Sequence, residues 1–230
     1  LEEDNMTING FYVDVYNAVL FGYDLLSTEI SNSYQVFKDS PYFAFYQSVK
    51  ALRPLSVRLW VEGVTSEDCD INISRILNLC SEQCVIKFND TDSLSYDCVY
   101  QSNEIDKVNP LNKKITLTFV CVVREDIVSQ TLTSSDKIIN NTGTLKVPCI
   151  IKVKAGATAL SNITVYGITI TSIPADKTMI IDGIECTVTI DGVNALLSTN
   201  LVEFPKLEVG NNTINFSAGT VVVEYYPTFI

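Results

Sequence analysis

Histidine is missing from all 230 residues. With it go the commonest general base near neutral pH, the usual partner of a nucleophilic serine, and the commonest metal ligand. Most hydrolase, protease and zinc-enzyme chemistry thereby loses its central residue. Tryptophan occurs once, at Trp60. Basic residues are scarce: 16 Lys and Arg face 27 Asp and Glu, for a net charge of −11 and a pI near 4.4. They are also scattered, the densest groups being Lys113-Lys114 and Lys152/Lys154. The clustered cations that nucleic-acid binding requires are lacking. No apolar run approaches the ~20 residues of a membrane-spanning helix. The opening LEEDNM is acidic, the reverse of a basic-then-apolar export signal. The chain starts on Leu1, so Met6 is the candidate native start and residues 1–5 a candidate addition.

Cysteine is present, but not as a framework. Seven are spread along the chain, an odd number, with no C-x-x-C. Cys69, Cys80, Cys84 and Cys98 could in principle supply four thiolates to zinc, but their irregular spacing forms no knuckle and favours buried free thiols. Cys121 and Cys186 fall in strand-like runs, as small buried hydrophobes do. Reduced thiols imply assembly in a cytoplasm-like compartment. Asn-x-Ser/Thr triplets at Asn5, Asn72, Asn89, Asn140, Asn162, Asn211 and Asn215 follow from a chain rich in those residues. The Asn72 and Asn162 triplets lie in apolar segments where a glycan would block packing.

What is there is strand. Hydrophobic residues make up 47% of the chain, enough for real cores. FYVDVYNAVL, SPYFAFYQSV and LSVRLWVEG are rich in aromatic and β-branched residues, the strand signature. The segment from Pro41 to Tyr46 is apolar at every position, so a strand there needs cover on both faces. A second layer or a neighbouring subunit would supply it. Tyr42, Phe43, Phe45 and Tyr46 are therefore the candidate oligomer-interface residues. TSEDCDINISRILNLC is the one clear helix: Thr65 or Ser66 caps it, and Ile73, Ile76, Leu77 and Cys80 recur at helical spacing. CVIKFND and SYDCVYQ form a hairpin around Asp90–Ser93. In KKITLTFVCVV, Ile115, Leu117, Phe119, Cys121 and Val123 share one face, the cleanest two-residue period in the chain.

A polar stretch, VSQTLTSSDKIINNTGT, marks the best domain boundary. The expected organisation is an N-terminal domain over 1–130, a linker over 131–144 and a C-terminal domain over 145–230. Beyond the linker short strands follow one another without helices, which predicts an antiparallel sandwich. Asp182-Gly183 and Asp191-Gly192 read as tight hairpin turns. Phe204 to Phe229 reads as a closing hairpin turned at Gly210–Asn212, with a break at Gly219. The fold class is mainly β, a β-rich α+β chain.

NTGTLKVPCIIKV, TMIIDGIECTVTIDGVNALL and EFPKLEVGNNTINFSAGTVVVEYYPTF, in that order, resemble the distal tail proteins of long-tailed, siphovirus-type bacteriophages and phage-tail-like particles. Matching positions include Gly143, Pro148, Asp182, Asp191-Gly192, Phe204-Pro205, Gly210, Asn212, Gly219, Tyr225 and Pro227. The N-terminal half follows the family order more loosely, with VVREDIV where the family has an aromatic/Pro motif. The resemblance implies an N-terminal belt domain assembling as a homo-hexameric ring, with a C-terminal galectin-like β-sandwich outside it. It also implies a virion structural role at the tail tip, joining the tail tube protein to the tail-tip hub or baseplate and anchoring receptor-binding proteins. Assembly in the host bacterial cytoplasm, DNA passing the lumen without specific binding, no membrane, no cofactor and no enzymatic activity belong to the same expectation. The rival reading is a carbohydrate-binding or receptor-binding module of a tail tip: Tyr166, Tyr225 and Tyr226 could stack on a sugar, though each is more simply a strand aromatic. A glycosidase could draw on the carboxylates of SEDCD and VREDI, yet these sit at a helix start and a strand end, where solvated charge is ordinary.

Overall fold

The computed structural model describes residues 5–36, 43–91, 93–132 and 137–230. The chain divides into two compact units, Leu1–Arg124 with Ile230, and Glu125–Phe229. As the composition predicts, strands dominate and there is one α-helix among the described residues.

The first unit holds β1 (Met6–Ile8), β2 (Phe11–Tyr12), β3 (Ala18–Leu25), β4 (Ile30–Val36), β5 (Phe43–Lys50), β6 (Arg53–Glu62), α1 (Ser66–Leu79), β7 (Gln83–Phe88), β8 (Leu94–Lys107) and β9 (Asn112–Glu125). Its main sheet runs β2-β1-β7-β8-β9-β6-β3. The alternation in β9 is realised in full: Ile115, Leu117, Phe119 and Cys121 are completely buried, opposite Leu59, Val57, Leu55 and Arg53 of β6. FYVDVYNAVL departs from the strand expectation. Only Phe11–Tyr12 and the stretch from Ala18 are extended; Val13–Tyr16 form a 3-10 turn that ends on Asn17 at φ 50°. Asparagine tolerates that left-handed backbone, which the apolar pattern alone does not reveal.

Helix α1 starts where its sequence says. The Thr65 hydroxyl accepts from the Asp68 N–H at 3.1 Å, and the Asp68 carboxylate accepts from the Thr65 N–H at 3.1 Å, a reciprocal capping box. Cys69, Asn72, Ile73 and Ile76 form the buried stripe. The Asn72 amide donates to the Glu62 carbonyl at 3.1 Å, so that triplet is packing, and a glycan there would open the core.

The second unit holds β10 (Val128–Leu132), β11 (Lys137–Asn141), β12 (Val147–Lys154), β13 (Leu160–Val165), β14 (Ile168–Ile173), β15 (Thr178–Asp182), β16 (Thr187–Ile190), β17 (Val193–Asn194), β18 (Lys206–Leu207), β19 (Gly210–Ile214) and β20 (Thr220–Tyr225). One sheet runs β10-β20-β12-β15-β16-β17, with β18 beside β12. Facing it, the β11-β19 and β13-β14 pairs contribute Ile139, Ile214, Ile163, Val165 and Ile170 to the same core as Ile151, Val153, Ile181, Val221 and Val223. Two antiparallel layers around one apolar core make a sandwich.

Four local expectations change here. Residues 131–144, expected as a linker, include the end of β10 and all of β11; Leu132 and Ile139 are fully buried. Polar residues at alternate positions disguised these as loop, because the solvent-facing side of a strand is polar anyway. The closing segment is not a hairpin. β19 pairs with β11, whereas β20 pairs with β10 and β12, so the chain crosses between layers at Gly219, whose φ is 89°. Asp182 and Thr187 are partners, leaving a four-residue loop rather than a two-residue one, and the Asp182 carboxylate accepts from the N–H groups of Ile184 and Glu185 at 2.8 and 2.9 Å. That loop carries Cys186, which is exposed with φ 53° instead of buried in a strand. Asp191-Gly192 does make a tight turn, at φ 48° and 79°, between paired Ile190 and Val193.

Candidate functional site

Strands β4 and β5 form a two-stranded sheet of their own. Tyr34 lies opposite Phe45 and Ser33 opposite Gln47, which leaves Tyr46 as the extra residue of a bulge, a device that re-aims a side chain. The Tyr46 hydroxyl donates to the Gln35 side-chain oxygen at 2.6 Å. Apolar exposure is high along the whole ribbon: Ile30, Tyr34, Phe45, Tyr46 and Val49 are each at least half exposed. A lone two-stranded ribbon is marginal in water, and one displaying this much aromatic surface has the composition of a buried element.

Of the interface residues expected from sequence, Phe45 and Tyr46 are 56% and 60% exposed. Phe43 opens β5 opposite Val36. Tyr42 lies outside the described residues. The pattern that singled them out, apolar on every position, is what an element covered on both sides requires. Sequence reasoning missed the apolar residues of the partner strand, Ile30 and Tyr34, because ISNSYQV reads as polar.

The remaining chemistry-bearing residues are dispersed. The Cys69 thiol donates to the Val61 carbonyl at 3.5 Å, away from any common centre with Cys80, Cys84 and Cys98. Cys84 and Cys98 are cross-strand partners. The neighbouring thiol of Cys84, then burial, pushes Cys80 up, and the neighbouring thiol of Cys121, then burial, pushes Cys98 up, which keeps both protonated; the Cys98 thiol donates to the Tyr96 carbonyl at 3.3 Å. Among the described residues no group of three or more Cys, Asp or Glu is arranged to hold a metal ion. Of the SEDCD carboxylates, Asp68 caps α1 and Asp70 pairs with the buried Lys113.

Among the concavities that side chains of the described residues line, three hold chemistry-bearing residues. One, of about 440 Å³, lies beside Tyr23, whose hydroxyl donates to the Asp90 carboxylate at 2.9 Å while its ring stacks on Phe88 at 3.8 Å. Burial, then that hydrogen bond, pushes the Tyr23 phenol up. A second, of about 340 Å³, is formed by Tyr16 with Ile71, Arg75 and Leu79 of the α1 surface. The third, about 230 Å³, lies in the second unit around Tyr166. Of the tyrosines expected in strands, Tyr225 is one, buried at 3%, with its hydroxyl donating to the Asn140 carbonyl at 2.9 Å. Tyr166 is not; it sits in the β13–β14 turn at φ 49°.

No protein-family model matches the sequence, and no curated protein is similar to it at a significant level. Structure is more informative. The chain superposes on the Dit (gp 19.1) protein of phage SPP1, described as a paradigm of the hub adsorption apparatus in phages infecting Gram-positive hosts, with a TM-score of 0.80, 15% identity and 99% of each chain covered. It matches a chain of the phage P2 baseplate in its calcium-activated conformation at a TM-score of 0.55, 8% identity and 97% of this chain against 98% of that one. The strontium form of the same baseplate gives 0.54, 9%, 96% and 97%. At these identities the likeness is one of fold, and it spans both units.

Proposed function

We propose that this chain is a structural distal tail protein of a long-tailed bacteriophage or phage-tail-like particle. Its first unit would serve as the belt of a homo-hexameric ring joining the tail tube to the tail-tip hub, and its second, a galectin-like sandwich, would anchor host-recognition proteins. The observation that carries this reading is the end-to-end structural likeness to the SPP1 Dit protein, reached independently of the sequence motifs that suggested the same family. The exposed aromatic ribbon supports it, because a ring gives such an element the cover it lacks within its own unit. The role is non-enzymatic and virion-borne, with assembly in the host cytoplasm, where the thiols stay reduced. A net charge of −11 suits a ring whose lumen lets DNA slide past without sticking.

Mass measurement in solution tests it. A concentration-dependent sixfold assembly is expected, with Tyr34, Phe45 and Tyr46 protected from solvent on association. A chain that stays monomeric at high concentration, alone and with tail-tube and hub proteins added, would overturn the ring. A cryo-EM ring whose lumen-facing side chains carry net positive charge would overturn the account of the acidic balance.

A further inference from the structure

The cavity around Tyr166 is assembled from three separated segments of the second unit: Lys146 before β12, the turn between β13 and β14, and the Glu203–Glu208 loop. At about 230 Å³ it is below the ~300–1,000 Å³ of sites for drug-sized molecules, which limits an occupant to a single ring. Tyr166 and Gly167 are the two residues between the paired Val165 and Ile168, at φ 49° and 79°. A two-residue turn of this kind favours Asn, Asp or Gly at its first position, and a bulky side chain there is strained. Such a departure from local preference at a cavity wall points toward function. The ring is also fixed at its far end, its hydroxyl donating to the Lys206 carbonyl at 3.0 Å.

The rim is made of two ion pairs, Lys146 with Glu208 at 2.5 Å and Lys206 with Glu203 at 2.8 Å. All four side chains are well exposed, and each pair leaves ammonium hydrogens and carboxylate lone pairs unused. Two donors and two acceptors line the cavity, and their charges sum to zero within a strongly acidic chain. Neither an anion nor a cation is favoured by such a rim. A neutral polyol is, because each hydroxyl donates and accepts at once, and Tyr166 and Phe204, half-buried on the sandwich core, line the cavity with aromatic rings that a C–H face can meet.

We propose that this cavity binds one pyranose unit of a saccharide, stacked against Tyr166 and hydrogen-bonded by Lys146, Lys206, Glu203 and Glu208. The site lies wholly in the second unit and does not depend on ring assembly. Ligand-observed saturation-transfer NMR on the full chain tests it with four probes: D-glucose, D-galactose, N-acetyl-D-glucosamine and L-rhamnose. Saturation of ring protons is expected for at least one probe. Tyr166→Asn should weaken that binding at least tenfold; Asn suits the turn, but the half-buried ring and its bond to the Lys206 carbonyl are lost, so a modest fall in the unfolding midpoint is expected. Glu203→Gln and Lys146→Met, both on the exposed rim, should weaken it several-fold without altering the fold, and they decide the matter should Tyr166→Asn fail to fold. No transfer to any probe, or transfer that survives the rim substitutions and Tyr166→Asn alike, would overturn the proposal.

Discussion

Asn212 offers the sharpest test of how the second unit is held together. Its side-chain oxygen accepts from the Glu208 N–H at 2.8 Å, and its amide donates to the Glu208 and Gly210 carbonyls at 2.8 and 2.9 Å. The residue is 6% exposed, so one side chain supplies what a strand partner otherwise would. Asn212→Ala leaves three backbone groups without that partner. Each unsatisfied group costs about 1–3 kcal/mol when buried; these are only partly buried, which places the total at roughly 2–4 kcal/mol. For a unit of this size about 1 kcal/mol moves a midpoint by roughly 4–8 °C, so a fall on the order of 10–25 °C is expected. Asn212→Asp keeps the acceptor but turns a carboxylate oxygen toward two carbonyls. Its carboxyl must therefore be held above the usual carboxylate range in the folded state. A raised folded value means the folded state binds the extra proton more readily than the unfolded one. The Asp variant should thus be no more stable than the Ala variant at neutral pH, and should regain stability as pH falls into the carboxylate range. The assay separates the units, because Trp60 is the only tryptophan and lies in β6. Urea unfolding followed by far-UV circular dichroism and by hydrogen exchange in β11 and β19 should register the loss. A destabilisation below about 1 kcal/mol, or an Asp variant most stable at neutral pH, would refute the hydrogen-bond account.

Other outcomes follow from the same geometry. Thr65→Ala removes half of the capping box and should cost about 1 kcal/mol, read by Trp60 fluorescence, with Thr65→Asp restoring most of it. Of the seven thiols only Cys186 is exposed, so Ellman's reagent should label one thiol rapidly in the native chain and none in Cys186→Ser; burial pushes Cys149 up to about 12, which keeps it unreactive at pH 8 unless the sandwich opens. Replacing Phe45 and Tyr46 together by serine should leave unfolding midpoints unchanged, since both are more than half exposed. Association should weaken by roughly 30-fold or more, from about 2–5 kcal/mol of apolar burial lost per interface; sedimentation velocity reads this, and a large drop in thermal stability would instead place the two rings inside a core.

What could be read from the sequence was whatever short-range physics decides. The two-residue period of β9, the Thr65 cap and the Asp191-Gly192 turn each depend on a few neighbouring residues. Partner choice does not. Nothing local in GNNTINFSAGTVVVEY says that β19 and β20 belong to different layers, because both alternate correctly for a hairpin as well. β11 hid for a related reason: KIINN exposes most of its side chains, and its strand identity is conferred by β19. The candidate site divides the same way. The aromatic run in β5 was legible, and its exposure was not, since exposure depends on what fails to pack there. Tyr166 reads as a strand aromatic because the two-residue turn it occupies usually announces itself with Asn or Asp.

The position of β20 bears on synthesis. β10 and β12 each pair with β20 and not with each other, and β20 is made long after both. Strands β1 to β9 are translated before any strand of the second unit. The sandwich cannot follow in step: until Thr220–Tyr225 leaves the ribosome its main sheet exists as separate pieces with open edges, which is when unpaired strands invite wrong partners. A chain without Thr220–Tyr225 would therefore keep β10 and β12 as disconnected edges, so closure of the sandwich waits on this one strand.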